Sequence, residues 1–255
     1  MKKALEKEWA AVLKKEEKLK SKAMKQRNSG WKDGLEEKIP EKVREGLEKA
    51  FIKAFELVFE KGTSIIEKSY QKEELFQEHK IHDYAIKERG NRKDFLAFKN
   101  TVRKSELANT AAAFAEGVGL GVLGIGLPDI VFFVGMLFRG IYQVAVKYGF
   151  DYEDDLEKVF ILKLMETSLK KGEEWEKGDN EIEILVQDVV PEFSEEELKF
   201  QIEKTARAFA MDMLVMKFIQ SLPVIGAAGG LSNPYYYRKV MDYAEIKYRK
   251  RYLKK

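Results

Sequence analysis

The chain has no cysteine and only two histidines among its 255 residues. Without cysteine there is no disulfide, no thiolate metal site and no cysteine nucleophile, which fits a reducing compartment. The histidines, His79 and His82, are spaced to share one face of a helix, where a metal would need a further ligand. The sequence suggests no such ligand. We therefore predict two polar histidines on a surface helix, with no metal and no cofactor.

Proline is also scarce, and the alternation of polar and apolar residues that is typical of strands is rare. The five prolines lie at the edges of helix-like segments. Only residues 182–190 could form a strand. Elsewhere the apolar residues recur with helical spacing. The sequence therefore predicts an all-α fold, a bundle of several helices.

Charge of one sign is lacking as well. Charged residues make up 35% of the chain, but the net charge is only +3. This balance argues against a nucleic-acid partner, since general nucleic-acid binders carry a clustered basic excess. The N-terminus has no apolar run of signal-peptide length. We therefore predict a cytoplasmic protein.

Residues 1–30 form a charged N-terminal helix that we treat separately from residues 40–253. Between Met1 and Arg27 there are ten basic residues and four glutamates. Two interpretations stay open. The helix either docks on the core through Trp9 and Leu13, or lies on an anionic membrane face, where each cation contributes ~1 kcal/mol.

Familiar catalytic motifs are missing. The chain contains no Gly-x-Ser-x-Gly, no phosphate-binding loop ending in Gly-Lys-Ser/Thr and no His-Glu-x-x-His. Residues 119–124 fit Gly-x-Gly-x-x-Gly, but they follow a helical pattern and not a strand, so we predict no nucleotide site. No catalytic residue can be named.

The most apolar stretch of the chain runs from Gly117 to Gly135. It is rich in glycine, broken by Pro128, and bounded or interrupted by Glu116, Asp129 and the later Arg139. A membrane-spanning helix needs ~20 apolar residues without a break. The stretch therefore indicates a bend between buried helices, or a hairpin that dips into lipid.

A second stretch, Leu222 to Gly230, resembles the first. Both contain Leu-Pro, and similar helical patterns follow each of them. Glycine permits tight turns and lets helices approach closely, as small residues do in lipid. We predict two helix-breaking glycine-rich hairpins related by a pseudo-twofold axis. The predicted ligand- or membrane-contact residues are Gly117, Gly121, Gly124, Leu127, Pro128, Asp129, Arg139, Leu222, Pro223, Gly226 and Gly229.

Several helix ends can also be predicted. Ser194 and Glu197 have the spacing of a capping box. Pro128 suits the first turn of a helix that Gly149 closes. The remaining patterns predict one helix from Thr63 or Ser64 to about Arg89, a helix capped by Asp151, and a polar loop over residues 170–180.

Four charged residues lie in apolar surroundings: Glu116, Asp129, Arg139 and Asp212. An unpaired buried charge is costly, so each needs a partner or a polar cavity. They form structural ion pairs, or they line a polar spot in an apolar pocket and orient a ligand head group.

Three phrases resemble the EcsC family in content and order. They are residues 124–129 (GIGLPD), 139–151 (RGIYQVAVKYGFD) and 222–230 (LPVIGAAGG) with Asn233, followed by a tail at residues 244–253. The resemblance covers about residues 40–253. It implies a bacterial, helical, often membrane-associated protein. The founding member is encoded beside an ATP-binding cassette transporter, and no catalytic motif is carried over.

We therefore expect a non-enzymatic protein, peripheral at the inner membrane face, whose glycine-rich hairpins contact lipid or enclose an apolar small molecule. Basic residues at both ends of the chain would attract anionic head groups. One alternative is an accessory protein docking on a membrane transporter. Another is a lipid-acting enzyme that uses Asp129 or Glu116 as acid or base.

Overall fold

A computed structural model of the chain describes residues 2–25, 39–59, 63–68, 70–104, 128–187, 193–221 and 232–255. Within these ranges the regular structure is helical and contains no strand, which confirms the all-α fold. The helices are α1 (Lys2–Lys25), α2 (Glu41–Leu57), α3 (Thr63–Lys68), α4 (Lys72–Glu88), α5 (Arg92–Lys104), α6 (Pro128–Lys147), α7 (Asp155–Leu169), α8 (Gly172–Leu185), α9 (Glu195–Ser221) and α10 (Ser232–Lys254). The two predicted hairpins lie largely outside the described residues.

Helices α6 and α10 pack side by side and run in the same direction. The rings of Phe133 and Tyr236 lie 6.2 Å apart near the start of both helices, and those of Tyr148 and Tyr252 lie 6.0 Å apart near their ends. Between these contacts, a Cβ on Gly140 would come within 2.8 Å of the Met241 sulfur. The lack of a side chain at Gly140 therefore allows the two helices to approach closely.

The core is rich in aromatic side chains where α2, α6 and α9 meet. The Phe209 ring on α9 lies 5.7 Å from the Phe55 ring on α2 and 6.0 Å from the Phe133 ring on α6. These separations are typical of favourable aromatic pairs. Phe209 also lies 6.4 Å from Tyr236, so α10 joins the same core.

The helix directions place several helix ends together. Ile39, just before α2, packs with Leu214 and Val215 in the last part of α9. Helix α1 runs antiparallel to α10, because Glu8 pairs with Arg249 and Lys15 with Glu245. Helices α1 and α9 therefore finish, and α2, α6 and α10 begin, at one end of the bundle, which we call the upper end.

Helix α10 is buried although its sequence is highly charged. Its backbone packs against α1, α6 and α7, and Glu245, Lys247 and Arg249 are all buried. Buried charges need partners. The partners come from α1, α7 and α8, as described below.

The prediction of one helix from residue 63 to 89 was wrong, since two helices, α3 and α4, occupy this range. At the break, the Tyr70 hydroxyl donates to the Tyr152 hydroxyl at 2.9 Å, and Tyr152 donates to Glu67 at 2.6 Å. Tyr142 stacks on the Tyr152 ring at 4.0 Å. The break between α3 and α4 therefore lies where the chain contacts the turn after α6. The local spacing of apolar residues does not predict this break.

The predicted polar loop over residues 170–180 was also wrong. Helix α8 begins at Gly172, whose φ of +56° is readily adopted only by glycine. The buried residues of α8 include Trp175, Gly178, Ile182 and Leu185, which are spaced three or four apart as on one helix face. The same helix includes residues 182–185, so the first part of the possible strand at residues 182–190 is helical.

The other helix ends agree more closely with prediction. The capping box is confirmed: the Ser194 amide donates to the Glu197 carboxylate at 2.9 Å, and the Glu197 amide donates to Ser194 Oγ at 3.2 Å. Gly149 follows α6 with a φ of +77°. The cap of α7, however, is Asp154 and not Asp151, which lies in the preceding turn and accepts a bond from the Glu153 amide.

Candidate functional site

The predicted contact residues fall into two groups. Pro128 and Asp129 form the first turn of α6, and Arg139 lies further along the same helix. The others lie outside the described residues: Gly117, Gly121, Gly124, Leu127, Leu222, Pro223, Gly226 and Gly229.

The helices next to both glycine-rich stretches meet at the upper end. Leu127 immediately precedes α6, and residues 222–231 connect α9 to α10. Because α6 and α10 are parallel and begin together, both stretches join the described bundle at its upper end. Their sequences are uncharged from residue 117 to 128 and from 218 to 237. The upper end is therefore the candidate functional site.

Arg139 does not lie at the upper end. It is ten residues after Asp129, which corresponds to about 15 Å along the helix. Its side chain is only 4% exposed. Burial lowers the pKa of Arg139, while Tyr237 and Tyr70 act in the opposite direction. These neighbours place Arg139 inside the bundle, in a setting that contains tyrosines from two other segments.

Asp212, another predicted buried charge, is half-buried on α9. Burial raises the pKa of the Tyr236 hydroxyl, and the negative charge of Asp212 raises it further. Asp212 therefore lies next to the start of α10, close to the upper end. Glu116 lies outside the described residues.

Helix α1 docks on the bundle through one narrow face. Val12 is fully buried and Ala23 nearly so, whereas Leu13 is 38% exposed. Val12, and not Leu13, is thus an anchor of the docked helix. Trp9 is half-buried.

Ion pairs supply much of the polar contact between α1 and the bundle. The Lys247 ammonium group lies 2.6 Å from Glu16, 2.6 Å from Asp179 and 2.8 Å from Glu183. Lys250 pairs with Glu16 and Glu183 as well. Three carboxylates from two helices therefore surround a lysine whose side chain is only 2% exposed.

The pKa values in this network follow from the close pairing. Burial lowers the pKa of Lys247, but its three carboxylate neighbours raise it more, so the net pKa lies above the ordinary lysine value. Burial raises the pKa of Glu183, but Lys247 and Lys250 lower it more, to about 2. Lys247 and Glu183 are thus both charged at neutral pH.

The outer face of α1 is lined with lysines. At 100° per residue, six exposed lysines fall within an arc of about 100°, and no acidic residue falls in this arc. None of the six forms an ion pair with a residue that the structure describes. We call this face the lysine stripe: Lys3, Lys7, Lys14, Lys18, Lys22 and Lys25.

The C-terminal basic run is arranged differently. Lys247 and Arg249 are buried and paired with carboxylates. Arg251 lies 2.8 Å from Glu157, and its guanidinium group lies 4.0 Å from the Phe150 ring centre. Much of this run therefore forms contacts inside the protein, and only Lys254 and Lys255 are exposed.

The two histidines make protein contacts. His79 Nδ1 donates to the Lys147 carbonyl at the end of α6 at 2.9 Å, and a Cβ on Gly149 would collide with the His79 ring. His82 Nε2 lies 3.1 Å from Thr101 Oγ1. Among the described residues, no three or more histidine, aspartate or glutamate side chains form a group that could hold a metal ion.

Phe193 and Phe200 lie in an open groove between α7 and α9. Gln201, Lys163 and Lys204 also line it, together with Glu196, Glu197 and Val159. The groove is open to solvent, lined by charges of both signs, and located near the start of α9. Its position separates it from the upper end.

One helix in the described part of the chain is long and apolar enough to cross a membrane. This segment, Ile130–Lys147 of α6, has a mean hydropathy of 1.5, but 83% of it is buried inside the protein. The central helix of a soluble domain has the same properties, so this observation is weak evidence for a membrane span.

The EcsC protein family matches residues 3–253. The chain belongs to the EcsC family. No curated protein and no solved structure gives a significant match. Because the EcsC match begins at residue 3, it includes α1 as well as the bundle on which α1 docks.

Sequence inspection missed the inward carboxylates of α1. Glu8 and Glu16 face α10, whereas the lysine stripe faces away from it. Their helical positions follow from the 100° increment alone. The buried lysine and arginine that they pair with could not be located in this way, since α10 has no clear apolar face.

Proposed function

We propose that this EcsC family protein is a non-enzymatic peripheral membrane protein of the cytoplasmic face, and that the upper end of its bundle contacts lipid. One observation carries the proposal: the two uncharged glycine-rich stretches join the bundle at the same end. Both stretches can thus contribute apolar residues to one contact surface.

The composition of the two stretches supports lipid contact. Five glycines between Gly117 and Gly126 each cost a helix in water ~1 kcal/mol relative to alanine. Close packing against neighbouring helices offsets this cost, and small residues favour such packing in lipid. Irregular backbone at membrane depth must be covered by protein. The helices that begin or end at the upper end supply protein atoms that can cover such backbone.

The docked bundle supports a peripheral arrangement. Helix α6, the described helix that is apolar enough to span a membrane, is covered by α2, α4 and α10. Taking it into lipid would separate it from these partners. Contact by the connecting stretches leaves the packed helices intact.

Site-specific fluorescence tests the proposal. The chain has no cysteine, so Gly121→Cys and Ala227→Cys each introduce a single site for a polarity-sensitive dye. Gln187→Cys is the matched control, because Gln187 is exposed beyond α8, near the C-terminal half of α10 and away from the upper end. With phospholipid vesicles, the dyes at positions 121 and 227 should shift to the blue, and the dye at 187 should not.

Native mass spectrometry of the purified wild type tests the related possibility that the same stretches enclose an apolar molecule. A co-purified lipid would support that form of the proposal. If no lipid is retained and neither upper-end dye responds to vesicles, the lipid proposal fails. Cross-linking from position 121 to a membrane transporter without any dye response would instead support an accessory role.

A further inference from the structure

We infer that the lysine stripe of α1 binds the head groups of an anionic lipid surface, so that α1 lies flat on the membrane. This inference rests on the proposed function, because it assigns the polar part of the same membrane contact. It also assigns the contact with anionic head groups to the N-terminal helix and not to the basic run at the C-terminus.

The docking of α1 fixes which face is available. Glu8 and Glu16 point inward and pair with Arg249, Lys247 and Lys250. These pairs use two of the four glutamates of α1. The opposite face consequently carries lysine charge that no described carboxylate neutralises.

The stripe has the dimensions of a surface contact. It extends from Lys3 to Lys25, a rise of about 33 Å along a helix. Its lysines are separated by small residues such as Ala11 and Ser21. A flat anionic surface can therefore approach all six ammonium groups together.

The position of the stripe favours a membrane over a nucleic acid. Lys22 and Lys25 lie in the last turn of α1, which ends at the upper end beside the attachment points of the apolar stretches. Charge next to apolar sequence matches the two layers of a membrane interface. The stripe also contains no arginine, the residue that binds phosphate in a bidentate manner.

The inference gives the protein an orientation. Helix α1 lies along α10, so contact through the stripe places the bundle axis roughly along the membrane plane. The upper end then meets the membrane at the edge of the contact. The buried part of the C-terminal basic run faces away from the lipid surface.

A charge-reversal pair tests the inference by vesicle flotation. Variant Lys7→Glu/Lys14→Glu/Lys18→Glu removes half of the stripe. Variant Lys53→Glu/Lys80→Glu/Lys93→Glu is the control, because it reverses three exposed lysines on α2, α4 and α5 that lie away from the upper end. Each variant changes the net charge from +3 to −3. Circular dichroism and thermal unfolding should confirm that both retain the wild-type fold.

The vesicles contain phosphatidylcholine alone or phosphatidylcholine mixed with phosphatidylglycerol. Wild type should bind the anionic vesicles more tightly, and added salt should weaken this binding. Since each lysine contributes about fivefold, the stripe variant should lose at least about a hundredfold in affinity. The control should lose no more than about threefold, a general effect of net charge.

Other results would overturn the inference in distinguishable ways. Equal losses in the two variants would assign the effect to net charge. Equal binding of the wild type to neutral and anionic vesicles would contradict the role of the lysine stripe but would agree with the proposed function. Failure to bind either kind of vesicle would contradict both the inference and the proposed function. Duplex DNA bound as tightly as anionic vesicles, and lost in the stripe variant, would reassign the stripe to nucleic acid.

Discussion

The Lys247 ammonium group lies 2.6 Å from the Glu16 carboxylate, so the last helix is joined to the first across 231 positions of sequence. The same lysine contacts Asp179 and Glu183 on α8. A single buried cation thus connects three helices. Removing it would leave three carboxylates close together without their central counter-charge.

We therefore expect Lys247→Met to lower the free energy of unfolding by about 3 kcal/mol, the usual size of the loss when one partner of a buried ion pair is removed. Urea denaturation at neutral pH measures this change. Lys254→Met is the control, because Lys254 is exposed and lies 3.5 Å from Glu183. It should cost less than about 1 kcal/mol. Equal losses in the two variants would show that the buried ion pairs of Lys247 stabilise the fold no more than the exposed pair of Lys254.

Glu183 should make stability fall in acid. Its pKa is about 2 in the folded protein, below the ordinary glutamate value of about 4.3 in an unfolded chain. Its contribution is therefore fully present above about pH 5 and is lost as the pH falls towards 2. The difference in unfolding free energy between wild type and Glu183→Gln should shrink over this window. A difference that stays constant from pH 7 to pH 3 would contradict the prediction.

His79 should weaken the fold at mildly acidic pH. Burial lowers its pKa below the ordinary value of about 6.5, although the Lys147 carbonyl and Asp83 act in the opposite direction. The unfolded chain therefore takes up this proton first. The stability contribution is complete above pH 6.5 and is lost as the pH falls through the folded pKa.

His79→Gln provides the comparison, because glutamine can also donate to the Lys147 carbonyl without titrating. Thermal unfolding at pH 7 and pH 5 should show a larger decrease for wild type than for the variant. His82→Gln serves as a second control, since His82 bonds to the Thr101 hydroxyl and not to the end of α6. A decrease that is the same in His79→Gln as in wild type would be inconsistent with a titrating His79.

Two glycine substitutions should change stability in opposite directions. A Cβ on Gly178 would lie 2.6 Å from Thr167 Oγ1 and 3.2 Å from Thr167 Cβ, next to a stiff β-branched side chain. Gly178→Ala should therefore cost about 1–3 kcal/mol through overpacking of α7 against α8. Gly46→Ala meets nothing within 4 Å and should stabilise α2 by up to about 1 kcal/mol. Urea denaturation measures both, and a stabilising Gly178→Ala would refute the close contact.

Local patterns predicted the structure where a helix end is set by nearby residues. The capping box at Ser194 and the glycine after α6 are of this kind. Helix α8 was missed because charged residues at its exposed positions masked a clear spacing of Trp175, Gly178, Ile182 and Leu185. The break before α4 was missed because Tyr70 bonds to Tyr152, a contact between distant segments.

The candidate site was only partly accessible from sequence. Similar Leu-Pro phrases suggested that the two glycine-rich stretches belong together, but sequence could not show that α6 and α10 begin at the same end. Arg139 was grouped with these stretches because it is a charged residue in apolar surroundings, four positions after the first stretch. Its burial places it instead inside the bundle, where Tyr237 and Tyr70 interact with it electrostatically.

The cover that α10 gives to α6 has a consequence for synthesis of the chain. Pro128 precedes Ser232 by 104 residues. At translation rates of about 5–20 residues per second, the start of α6 leaves the ribosome about 5–20 s before the start of α10. During that interval an apolar helix of membrane length lacks one of its permanent neighbours. We expect nascent chains halted after α6 to bind chaperones or membranes more readily than chains that include α10, and ribosome-stalled fragments ending before and after α10 can measure this difference.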